Sequence, residues 1–175
     1  MKKFELTAES KINIFGKKLF RIKALISFGD VEEGETGGWI EKEENLEQSS
    51  GDAWVYGNAG VSGNARVSGD ARVYGDARVS GDARVYGNAE VSGNAEVYGN
   101  ADYTTIHGFG TQFRTTTFFQ CEDKQIRVSC GCFLGTIPEF REQVKNTREG
   151  KIAEEYLMIA DLMEKHFVKE KESGE

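Results

Sequence analysis

The sequence predicts a mainly β fold: a coil of short parallel strands, with an N-terminal β cap and a small C-terminal α+β domain. Three observations predict it. From Gly51 to Asp102 a six-residue unit, V-[SY]-G-[DN]-A-x, repeats almost without error. Before it, Phe4-Glu5-Leu6-Thr7 and the run from Leu19 to Leu25 read as strands. After it comes an alternating hairpin pattern, then two stretches of helical period.

Residues 1–28 are the expected cap. Asn13 and Gly16-Lys17-Lys18 supply turn chemistry between its two strands. A coil of strands leaves an open row of backbone groups at each end, so an array of repeats needs such a cap. Residues 29–50 read as an imperfect first turn, with Val31 and Ile40 inward. The coil as a whole is expected over 29–105.

Within the repeat, Val recurs at positions 55, 61, 67, 73, 79, 85, 91 and 97, and Ala at 53, 59, 65, 71, 77, 83, 89, 95 and 101. Neither a heptad nor a 3.6-residue period fits six. In the stretch A-x-V-x, Ala and Val are two apart and share one face of a strand. The Gly-[DN] pair between stretches is then a corner. Gly accepts a left-handed backbone there, and Asn and Asp tolerate it better than other residues. Each buried Val contributes about 1.5–3 kcal/mol relative to exposure.

The C-terminal part, 106–175, is expected to hold a hairpin and two helices. Thr115–Cys121 and Gln125–Cys130 alternate around Glu122-Asp123-Lys124. Thr136, Pro138 and Glu139 fit a capping box with Pro in the first turn. One helix then runs to about Arg148 and stops at Gly150. A second, over 151–168, carries Ile152, Tyr156, Ile159, Ala160, Met163 and Phe167 at core spacing. The closing KEKESGE reads as disordered.

Composition removes several function classes. The chain has 175 residues, 22 Lys+Arg against 29 Asp+Glu and a net charge of −7. That balance lacks the basic field that nucleic-acid polymers or acidic membranes need. No apolar run reaches about 20 residues, and the start, MKKFELTAES, lacks a signal-peptide core. With three cysteines, an odd number, reduced thiols and a cytoplasmic location are expected.

The repeat resembles the hexapeptide-repeat left-handed parallel β-helix, in which three hexads make one triangular turn. The string from Gly37 to Ala59, GGWIEKEENLEQSSGDAWVYGNA, is also similar to the YdcK-like group, whose members are commonly labelled acyltransferases and have prophage relatives. TTTFFQCEDKQIRVSCGCFLGTIPEF resembles a domain fused to such repeats in phage and prophage proteins. Those relatives carry Thr-His-Gly-Asp where this chain reads Thr147-Arg148-Glu149-Gly150, so a role for that His does not transfer. The resemblance implies three to four turns and a homotrimer.

An 18-residue turn stacks positions 18 apart at about 4.7–4.9 Å. Arg72 is then expected over Glu90, Arg78 over Glu96 and Arg84 over Asp102, as cross-strand charge pairs. Two columns break the pattern. Trp54, Tyr56, Arg72 and Tyr74 form an outward aromatic and cationic patch. Arg66 stacks on Arg84 beside Ser68 and Tyr86, a like-charge pair that calls for an anionic neighbour. Both columns are candidates for a ligand or an interface. The bland reading is that Tyr, Trp and Ser simply suit outward strand positions.

Acyltransferases of the resembled fold use a His base between subunits of a trimer. His107, where the coil ends, is the candidate. His166 lies in the final helix, and no loop leaves the repeats to complete an active site. Cys121, Cys130 and Cys132 are weak zinc candidates, because their spacing is not a standard knuckle. No Walker loop, dinucleotide fingerprint or nucleophile elbow appears.

The expected function is therefore a non-catalytic trimeric binding scaffold, phage- or prophage-encoded, that sequesters a small anionic ligand such as a nucleotide signal of host defence. It would need no cofactor. The alternatives are an acyl-CoA-dependent transferase using His107 and a structural or protein-interaction module.

Overall fold

A computed structural model describes residues 1–168; the KEKESGE segment lies outside the described residues. Eight two-residue strands form the repeat region: β4 (Trp54–Val55), β5 (Gly60–Val61), β6 (Arg66–Val67), β7 (Arg72–Val73), β8 (Arg78–Val79), β9 (Arg84–Val85), β10 (Glu90–Val91) and β11 (Glu96–Val97). They pair in parallel with partners eighteen positions apart: Val55 with Val73 with Val91, Val61 with Val79 with Val97, and Val67 with Val85. All of these valines are fully buried. The molecule is a β-solenoid with three sides. One side carries β4, β7 and β10, the second β5, β8 and β11, and the third β6 and β9.

The corners work as the repeat requires. The repeat glycines from Gly57 to Gly93 sit at φ between +58° and +72°. The buried Ala after each corner turns the chain inward with little bulk, and Val fills the interior.

The first turn is longer. Ile40 pairs with Val61, and Leu46 bridges to Val67, twenty-one positions apart rather than eighteen. The extra residues lie between Leu46 and Val55, and their side chains are put to use. Gln48 acts as a strand mimic: its Oε1 accepts from the Lys3 and Phe4 amides, and its Nε2 donates to the Phe4 carbonyl.

Strands β1 (Phe4–Ile12) and β2 (Lys18–Ala24) are antiparallel, and β2 pairs with β3 (Thr36–Ile40). Because β3 is parallel to β5, these strands extend the second side into one six-stranded sheet, in the order β1-β2-β3-β5-β8-β11. The N-terminal strands thus share both a sheet and a core with the solenoid, through Phe4, Ile22, Ala24 and Val31.

The C-terminal part adds a four-stranded antiparallel sheet: β12 (Tyr103–Phe109), β13 (Arg114–Gln120), β14 (Ile126–Cys130) and β15 (Phe133–Thr136). The anticipated hairpin is β13–β14, and outer strands flank it. Its two faces do different jobs, as the period-2 alternation of a strand dictates. Phe119 and Cys121 join the solenoid core, while Phe118 and Val128 join a second core under the helices. The last rung is closed by polar groups: the Glu90 amide donates to Thr117 Oγ1 (3.0 Å), the Gln120 amide to the Asp102 carbonyl (2.8 Å) and the Glu122 amide to the Asn94 carbonyl (3.2 Å).

Helix α1 (Ile137–Thr147) starts at the expected capping box. Thr136 Oγ1 accepts from the Glu139 amide, and Glu139 Oε2 accepts from the Thr136 amide at 2.7 Å. Thr136→Ala should cost about 1 kcal/mol, read as a lower urea midpoint at unchanged m-value; no change would mean that water serves the Glu139 amide equally well. Gly150 does not stop α1, which ends at Thr147, but opens α2 (Gly150–His166) at φ +56°. Tyr156, Ile159, Ala160 and Met163 are buried against α1 and the sheet, with Ile152 and Phe167 packed at the margin. Among the described residues no helix is long and apolar enough to cross a membrane.

Candidate functional site

The appended elements cover two sides of the prism and leave one bare. On the first side Trp54 is completely buried, not displayed. Its indole packs edge-on against Phe28 (centroids 5.4 Å) and Phe4 (6.0 Å), both from the N-terminal segment. Tyr56 is partly buried against the core, and burial raises its hydroxyl pKa. Arg72 reaches Asp30 at 2.6 Å instead of Glu90. Glu90, although in register with Arg72, accepts from Ser129 Oγ at 3.3 Å. Tyr74 is half-buried. Of the outward patch foreseen here, Trp54 is therefore internal, because distant residues fold over it, while Tyr56, Arg72 and Tyr74 stay partly exposed.

The second side is covered at its upper end by the β1–β2 hairpin. Asn13 Nδ2 donates to Ser62 Oγ (3.4 Å), and Phe15 packs edge-on against Tyr98 (5.7 Å). Here the foreseen pair forms: Arg78 meets Glu96 at 3.1 Å, and Lys124 joins at 3.3 Å. Burial opposes Glu96 ionisation, but hydrogen bonds from Tyr98 and Lys124 and the nearby cations outweigh it and lower its pKa. Burial, with the bond to Glu96, pushes Tyr98 up to about 12.

The third side carries Arg66 and Arg84 in direct register. Arg66 is held by Glu47, one of the residues that lengthen the first turn. Hydrogen bonds from Ser49, and then from Arg66, bring the Glu47 carboxyl down to about 2. Asp102 does not pair with Arg84. It turns back to accept from the Tyr98 and Gly99 amides (both 2.9 Å) and closes its own corner. Arg84 is exposed and has no carboxylate partner among the described residues. Its backbone is fixed at both ends: the amide donates to Asn100 Oδ1 (2.8 Å), and the carbonyl accepts from the buried Tyr103 hydroxyl. Tyr86, 63% exposed, stands beside it.

These side chains line an open groove of about 1040 Å³ that runs from Lys42 to Thr105 and includes Ser68 and Asn100. Two carboxylates, Glu44 and Glu47, share the groove with three cations, Lys42, Arg66 and Arg84. Since Glu47 is committed to Arg66, the local balance favours an anion. Lys42, Glu47 and Asn100 escaped notice in the sequence. Only the irregular length of the first turn and the corner position of Asn100 could have signalled them.

The other candidates do not converge. His107 is exposed on β12, with Nδ1 3.1 Å from Thr115 Oγ1, and makes no ion pair among the described residues. His166 ends α2 against Phe167. Cys121 is buried toward the solenoid, whereas Cys130 packs on the helix side and Cys132 is exposed. The two do not share a strand face: Cys130 ends β14, and Cys132 lies in the turn that follows. Among the described residues no three His, Cys, Asp or Glu side chains gather as a metal site would require. Burial pushes the Cys121 thiol up to about 11.

The register and the two closed ends define a capped β-solenoid built on hexads. The repeats themselves match the family model described as YdcK Beta solenoid repeat, at residues 59–75, 65–81, 71–85 and 77–93. Successive matches begin six residues apart, which is the hexad period. Comparison with curated proteins finds no match.

Proposed function

We propose that the protein is a non-catalytic binding scaffold whose bare third side holds a small anionic ligand across Arg66 and Arg84. The observation that carries this reading is the stacked pair itself. Two guanidinium groups one rung apart repel each other, and Glu47 relieves only one of them. An anion with two or more oxygens would relieve the other, and Arg presents a fork suited to it. Tyr86 offers an exposed ring beside that fork for a planar portion of the ligand. A homotrimer with this side at a subunit cleft would enclose the ligand further.

Isothermal titration with inorganic pyrophosphate and a panel of nucleotides tests the reading. Native mass spectrometry of the same samples reports ligand and subunit stoichiometry together. Arg84→Ala should weaken binding about tenfold to a hundredfold, as expected for a lost charge-assisted hydrogen bond. Equal affinity in Arg84→Ala, or no binding by the native chain, would overturn it. Turnover of acetyl-CoA that is lost in His107→Ala would replace it with the transferase reading.

A further inference from the structure

We propose that Cys130 and Cys132 form a reversible thiol–disulfide site in the β14–β15 turn, independent of the groove. Cys130 pairs with Phe133, so Gly131 and Cys132 are the two residues of a tight hairpin turn. Gly131 has φ +60°, the value a first central residue needs in such a turn. It also lies under the Arg114 guanidinium, which would stand 2.3 Å from any Cβ placed there. The positive φ thus favours glycine at this turn.

Chain geometry brings the two Cα atoms within disulfide range, so that rotation of the exposed Cys132 side chain would close the bond. Residues two apart span at most about 7 Å when fully extended, and a turn shortens that into the roughly 4.4–6.8 Å window of disulfides. Both side chains border one small cavity of about 160 Å³, beside Phe140 and Tyr156. Arg114 and Arg148 border the same cavity. Cys130 Sγ also accepts from Thr116 Oγ1 at 3.2 Å. Cys132 is exposed and open to attack on a partner, whereas Cys121 is sealed in the solenoid core.

The oxidant is a low-molecular-weight disulfide of the glutathione type. The Cys132 thiolate attacks one of its sulfurs, that S–S bond breaks, and one glutathione thiolate leaves. The Cys130 thiolate then attacks Cys132 Sγ in the mixed disulfide and expels the second glutathione. Two protein thiols become one disulfide, the oxidant becomes two thiols, and the two protons pass to the leaving groups. A disulfide closed over so short a turn is strained and exposed, which makes it readily reducible and suits a switch more than a staple.

The test is to equilibrate the full chain in a series of glutathione redox buffers, quench with acid, and map the products by intact and peptide mass spectrometry. The expected product is an intrachain Cys130–Cys132 bond, two hydrogens lighter, in both the native chain and Cys121→Ser. Cys130→Ser should instead accumulate glutathione on Cys132. The proposal is overturned if the native chain keeps the glutathione adduct without closing the bond, if Cys132 joins another chain or Cys121, or if Cys132 stays unmodified throughout.

Discussion

Trp54→Ala should lower the unfolding free energy by about 3–5 kcal/mol, the range for truncating a fully enclosed aromatic. The indole has no exposed surface and is walled by Phe4, Phe28 and the backbone of Gly37, where any added Cβ would lie 2.6 Å from it. The cavity would open at the join between the N-terminal strands and the first regular rung, so both would loosen together. Urea unfolding followed by circular dichroism measures the effect. A surface residue would move the free energy by no more than about 0.5 kcal/mol, and a shift that small would mean the N-terminal segment does not cover this side. Trp54→Phe should be much milder, because the lost area is partly offset by removal of an indole N–H that finds no acceptor among the described residues.

Gly81→Ala is expected to be nearly as damaging, and Gly57→Ala is its control. Both glycines occupy the same place in the hexad and both have positive φ, +63° and +58°. For Gly57 an added Cβ meets nothing within 4 Å, so the cost is backbone strain alone, about 1–2 kcal/mol. For Gly81 the Cβ would lie 2.3 Å from the Tyr98 carbonyl oxygen on the next turn. Main chain cannot swing aside as a side chain can. The rungs must separate, which adds about 1–3 kcal/mol of overpacking. The total is about 2–5 kcal/mol for Gly81→Ala. Equal midpoints for the two variants would show that the corner relaxes freely.

The parts of the molecule that were legible in the sequence are those governed by local rules. Val55, Val73 and Val91 announce their alignment because an outward Val at one rung would break the file at every other. Thr136 and Glu139 announce a helix start because both partners of the capping bonds lie within four residues. Trp54 was misplaced because its strand position says only that it points away from the solenoid axis. What covers it comes from Phe4 and Phe28, some fifty and twenty-six positions upstream, in a segment with no repeat to align. Arg72 and Asp102 were misassigned for a related reason. Register predicts which side chains are neighbours, but Asp30 arrives from outside the register, and the corner amides of Tyr98 and Gly99 lie nearer to Asp102 than Arg84 does. For the site, the Arg66–Arg84 stack was readable from the period alone. The groove around it needed the long first turn, which departs from that period at Glu47.

The grip of the C-terminal sheet on Glu90 has a consequence for how such a chain can change in length. Thr117 and Ser129 hold one particular side of the last rung. Adding or removing a single hexad before Glu90 would swing this rung and the sheet that grips it, together, by a third of a revolution relative to the N-terminal strands. Growth by whole turns would preserve that rotational phase. Steps of eighteen are thus the changes in height that keep the two ends of the molecule in the same rotational phase.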